Sequence, residues 1–99
     1  MSNEKVNNSA MIEKVISILK KHGAKEIAIF GSYVKGETHP ESDLDILVEF
    51  SGRKSLLDLI GIEIELEEIL NIKVDLLTKK SISPYLIDRI EKVAERIYG

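Results

Sequence analysis

Ser42-Asp43-Leu44-Asp45-Ile46-Leu47-Val48-Glu49-Phe50 alternates apolar with other side chains and carries two carboxylates in its first half. At the period of a strand, Leu44, Ile46, Val48 and Phe50 share one face that can pack on helices, while Asp43 and Asp45 share the other. Asp is a poor strand former, because its short side chain competes for backbone hydrogen bonds and its charge must stay solvated or paired. Yet three of the five Asp residues in the chain, Asp43, Asp45 and Asp75, fall in predicted strands.

Upstream of this stretch, Ile27-Ala28-Ile29-Phe30 is a short apolar run closed by Gly31, bounded like an interior strand. Before it, Ile12, Val15, Ile16 and Leu19 recur at helical spacing and predict a helix from about Ser9 to His22, with Gly23 as its left-handed stop. Residues 1–8 are polar and aperiodic and read as a flexible tail. Downstream, Ser55 is a cap for a helix carrying Leu56, Leu59, Ile62, Leu66, Ile69 and Leu70, ended by Asn71. Gly61 inside that helix costs about 1 kcal/mol relative to Ala, and a close helix–sheet contact is the expected reason. Ile72 to Leu77 reads as a third strand, and Ser83-Pro84 opens a last helix carrying Leu86, Ile87, Ile90, Val93, Ala94 and Ile97. The order α-β-turn-β-α-β-α predicts an α+β fold, a small mixed sheet with helices over one face and a site on the other.

The chain's 99 residues, 43% of them hydrophobic, suit one domain over residues 9–99. Without Cys, disulfides and thiolate metal sites are excluded. A net charge of −3 argues against gripping nucleic acid by its phosphates. No apolar run reaches the roughly 18 residues of a membrane span, and the N-terminus lacks the apolar core of a signal peptide, so a cytoplasmic protein without a membrane partner is expected.

Two residues apart on one face of a strand, Asp43 and Asp45 have Cα atoms about 6.6 Å apart, so both carboxylates can lean toward one hard cation. Asp75 can join them if the third strand neighbours the second. Oxygen donors of this kind suit Mg²⁺ or Mn²⁺ better than Zn²⁺. Gly31 lets backbone N–H groups approach an anion, and Ser32 adds a hydroxyl donor. Ten residues separate Ser32 from Asp43. A phosphate-holding turn beside a carboxylate pair describes phosphoryl or nucleotidyl transfer.

Gly31-Ser32-Tyr33-Val34-Lys35-Gly36 followed by Ser42-Asp43-Leu44-Asp45 resembles the signature of the DNA polymerase β-type nucleotidyltransferases. Within them it is similar to the minimal nucleotidyltransferases, the MntA-like antitoxins encoded beside HEPN-type toxins. The resemblance implies that Asp43 and Asp45 ligate Mg²⁺, that Asp75 is the third acid and helps to activate the attacking hydroxyl, and that Gly31 and Ser32 hold the nucleotide phosphates. Lys35 is a further candidate phosphate contact; similar members often carry Arg there, and Lys keeps the charge without the bidentate fork. The implied reaction moves AMP from ATP to a tyrosine of a HEPN-type toxin, bound as a hetero-oligomer. Two alternatives stand beside it: an antitoxin that neutralises by binding alone, and transfer to a small molecule, for which the chain leaves little room to build a pocket. Lys20-Lys21 and Lys79-Lys80 read as solvated helix ends, and Tyr85 and Tyr98 as anchors at the core's edge.

Overall fold

The computed structural model describes residues 3–30 and 44–99, with side chains from residue 10 onward. Helix α1 (Asn3–Lys21) begins six residues before Ser9, where the tail was expected to end; its apolar period starts only at Ile12, so nothing earlier marks the first turns. Gly23, at φ +94°, turns the chain into strand β1 (Ala24–Phe30). Strand β2 (Leu44–Phe50) runs antiparallel to β1. The chain then crosses through helix α2 (Leu56–Leu70) to strand β3 (Val74–Thr78), which lies parallel to β2.

Both ends of α2 are fixed by local chemistry. Ser55 and Asp58 form a reciprocal capping box, which ties two backbone N–H groups at the N-terminus. At the other end Asn71, left-handed at φ 59°, donates its N–H to the Glu67 carbonyl at 2.8 Å. A short 3₁₀ turn (Lys79–Ser81) leads to helix α3 (Pro84–Val93), capped by Ser83 and begun by Pro84 as the sequence predicts.

The last helix stops earlier than its periodicity suggests. Instead of continuing to Ile97, the chain forms a fourth strand, β4 (Glu95–Tyr98), antiparallel to the free edge of β1. Ala94-Glu95-Arg96-Ile97 contains no breaker and continues the apolar period of α3, so only the tertiary pairing with β1 distinguishes strand from helix here. The sheet order is β3-β2-β1-β4. Helices α1 and α2 cover one face, where Val15, Leu19, Ile27, Leu44, Ile46, Val48 and Leu66 are fully buried. Helix α3 buries none of its residues; Leu86 and Val93 remain about half exposed.

Candidate active site

Three strand ends come together at one end of the sheet's outer face. β1 ends at Phe30, β2 starts at Leu44 and β3 at Val74. The register sets Phe30 opposite Asp45 on one side and Asp45 opposite Asp75 on the other. Leu44 and Ile46 point into the core, so the pleat turns Asp45 to the outer face; Val74 and Leu76 do the same for Asp75. Neighbouring strands are about 4.8 Å apart, so two carboxylates rise side by side from adjacent strands. Asp45 is half-buried and Asp75 exposed. The adjacency of the second and third strands, on which a role for Asp75 depends, is therefore present. Asp43, Gly31, Ser32 and Lys35 lie outside the described residues.

Strand β3 is an edge strand, and α2 holds that edge in place. The Glu67 carboxylate accepts a hydrogen bond from the Val74 N–H at 3.0 Å, and the Glu63 carboxylate accepts one from the Leu76 N–H at 3.0 Å. These two residues flank Asp75. Outward-facing strand donors are thereby satisfied, and the backbone that carries Asp75 is clamped on both sides. The sequence signal was present in the i, i+4 spacing of Glu63 and Glu67, but nothing short of the fold shows that the pair points at β3.

Further along the same outer face the electrostatics differ. Lys79 donates to Glu26 at 2.6 Å, with Glu91 of α3 at 3.1 Å and Glu49 of β2 at 3.9 Å; Arg96 of β4 reaches the other Glu26 oxygen at 3.2 Å. Lys79 is 26% exposed, so it is a bound cation rather than the solvated helix end its sequence suggests. The hydrogen bond from Lys79 holds the Glu26 carboxyl below its ordinary range, and the same bond raises the ammonium of Lys79. The network lies over Leu47, which is buried although it faces away from the main core.

Chemically, the acid end offers an oxygen-only donor set in a chain without Cys, which fits a hard divalent cation better than a soft one. Among the described residues no three His, Cys, Asp or Glu side chains gather at one point. Also among them, no helix is long and apolar enough to cross a membrane.

The family model of the nucleotidyltransferase domain matches residues 12–97. A Methanocaldococcus jannaschii protein, named as a candidate protein adenylyltransferase, is 53% identical over 86% of this chain and 91% of its own length. The protein adenylyltransferase MntA of Thermococcus cleftensis is 44% identical over 72% of this chain and 80% of its own length. Among solved structures, a crystal structure of a toxin–antitoxin assembly with AMP-PNP superposes with a TM-score of 0.83 at 27% identity, covering 89% of this chain and 73% of that one.

Proposed function

The chain belongs to the nucleotidyltransferase domain family, and on that premise we propose that it is a divalent-metal-dependent protein adenylyltransferase that silences a HEPN-type toxin. It transfers AMP from ATP to a tyrosine hydroxyl of that toxin. The hydroxyl oxygen attacks the α-phosphorus, the bond between the α-phosphorus and the bridging oxygen breaks, pyrophosphate leaves, and the hydroxyl proton passes to a base. The observation that carries the reading is the in-register pair Asp45 and Asp75, set side by side on the outer face of a sheet of this family. It is supported by the adenylyltransferase named among the relatives and by the AMP-PNP held in a similar toxin–antitoxin structure.

Asp45 and Asp75, with Asp43 two residues upstream of Asp45, are the residues that would hold the metal. When bound there, such an ion, Mg²⁺ or Mn²⁺, would supply neutralisation of charge developing on the transferred group. Asp75, the more exposed of the pair, also stands to orient the acceptor hydroxyl and receive its proton. Gly31 and Ser32, next in sequence after Phe30, are proposed to hold the phosphates by backbone and hydroxyl donors. Lys35 adds a positive charge to them. On this reading the protein works in the cytoplasm, where ATP is available.

Intact-mass measurement of the HEPN-type protein encoded beside this chain, after incubation with the chain, ATP and Mg²⁺, tests the proposal. One or more additions of about 329 Da, the mass of an AMP unit, are expected and should vanish with EDTA. A stable, silenced complex with no added mass would replace transfer by neutralisation through binding.

A further inference from the structure

Helix α2 is apolar on two opposite sides. Leu59, Ile62, Leu66 and Leu70 face the core. About 180° around the helix, Leu57, Ile60, Gly61 and Ile64 follow the i, i+3, i+4, i+7 spacing of a second stripe. In it Leu57 is 79%, Ile60 42% and Ile64 49% exposed. The expected helix–sheet contact at Gly61 is not found among the described residues: Gly61 is exposed, and a β-carbon built there meets none of their atoms within 4 Å beyond its chain neighbours and its own helix backbone. A single chain thus carries the helix-weakening effect of this glycine with no packing in return. Contiguous apolar surface with a charged rim is the mark of a protein contact.

We infer that this stripe receives a second copy of the chain, with the two α2 helices antiparallel about a two-fold axis passing between Ile60 and Gly61. The stripe is its own complement under that operation. Leu57 falls opposite Ile64 of the second copy, and the exposed Arg53, just ahead of the helix, falls opposite the exposed Glu68 in its last turns. A parallel arrangement would instead set Arg53 against Arg53 and Glu68 against Glu68, and would align the two helix dipoles unfavourably. At the crossing point Gly61 lets the backbones come closer than any residue with a side chain would. An interface of this kind is isologous, so two copies close the assembly. It uses the side of α2 turned away from the sheet, which leaves Asp45 and Asp75 open in both copies.

Light scattering on the full chain decides the matter. One helix pair lies at the small end of specific interfaces, so we expect the mass of two chains at about 500 µM and of one chain at about 5 µM. Ile60→Glu should give one chain at both concentrations while its circular dichroism stays that of the wild type. Arg53→Glu should weaken the dimer about 10-fold, and adding Glu68→Arg should restore it. Because the chain has no cysteine, Ile60→Cys, which keeps Gly61 at the crossing, provides a geometric probe: oxidation should link two copies through it, whereas Lys92→Cys on α3 should not link them. A single-chain mass at the higher concentration, a dimer that survives Ile60→Glu, or a double charge reversal no better than the single one would overturn the inference.

Discussion

At one end of the sheet's outer face Asp45 and Asp75 stand opposite each other on paired strands; at the other, Lys79 sits among Glu26, Glu49 and Glu91. The two regions share strand β2, which carries Asp45 at one end and Glu49 at the other, yet their electrostatics oppose each other. Carboxylates directly opposite on neighbouring strands repel and destabilise the sheet. The glutamates around a half-buried ammonium attract it and draw β1, β2, α3 and the turn after β3 together. A stability requirement alone accounts for the second region. On the reading proposed above, a bound cation would relieve the repulsion at the acid end.

The largest expected effect breaks the acid end. Asp45→Asn or Asp75→Asn should lower AMP transfer about 10³-fold, the several kcal/mol that a metal-held phosphoryl group contributes to the transition state. Thermal unfolding of the Asp75→Asn chain should show no loss of stability, since a repulsion with the opposite Asp45 is removed. A variant that transfers at the wild-type rate would separate the pair from the chemistry. Next in size is the support of Asp75. The double variant Glu63→Ala with Glu67→Ala leaves the Val74 and Leu76 N–H groups without their carboxylates, and we expect transfer to fall about 10-fold with a stability loss of about 1–3 kcal/mol. Denaturant unfolding alongside the transfer assay checks both; a loss of stability with an unchanged rate would make the clamp purely structural.

The other region should respond in the opposite sense. Lys79→Met should cost about 1–2 kcal/mol in denaturant unfolding, because it leaves three glutamates without their shared cation. Its transfer rate should stay within about twofold of the wild type, since the partners of Lys79 on the sheet, Glu26 and Glu49, lie at the opposite ends of β1 and β2 from the acid pair. A collapse of activity in a folded Lys79→Met chain would show that the two ends are coupled and that the contrast between them is mistaken.

The acid end and the Lys79 network also differ in how they can be read from sequence. Asp43-Leu44-Asp45 betrays itself by violating strand preference, and the alternation that follows assigns the face of Asp45 from sequence alone. The core helices, the caps at Ser55 and Ser83, and the stop at Asn71 are legible for the same reason: each depends on residues within a few positions of one another. What escapes is long-range. Lys79 meets Glu26, 53 residues away, and a lysine beside a helix start looks no different from one in solvent. Strand β4 exists because β1 has a free edge, and Gly61 has an exposed environment that no local pattern discloses.

The smallest effect tests the network by pH, and its sign follows from the direction of each shift. Glu26 is held below its ordinary value of 4.5 chiefly by the hydrogen bond from Lys79. Folding therefore favours its charged form, and the stability it contributes is complete above about pH 4.5 and fades as the pH drops through the folded value. Lys79 is raised above its ordinary 10.5, chiefly by the same bond, so its contribution is complete below that value and fades as the pH climbs past the folded one. Both limbs describe one interaction and count once, at about 1 kcal/mol or less for a pair still partly in contact with water. Glu65, lowered chiefly by its hydrogen bond from Lys21 and then by His22, steepens the acid limb in the same direction. Denaturant midpoints measured from pH 3 to 11 should therefore form a plateau with two falling edges. In Lys79→Met the alkaline edge should shrink and the acid edge should keep only the part that Glu65 and the other carboxylates supply. An alkaline edge of undiminished height in that variant would assign it to another lysine and remove Lys79 from the centre of the network.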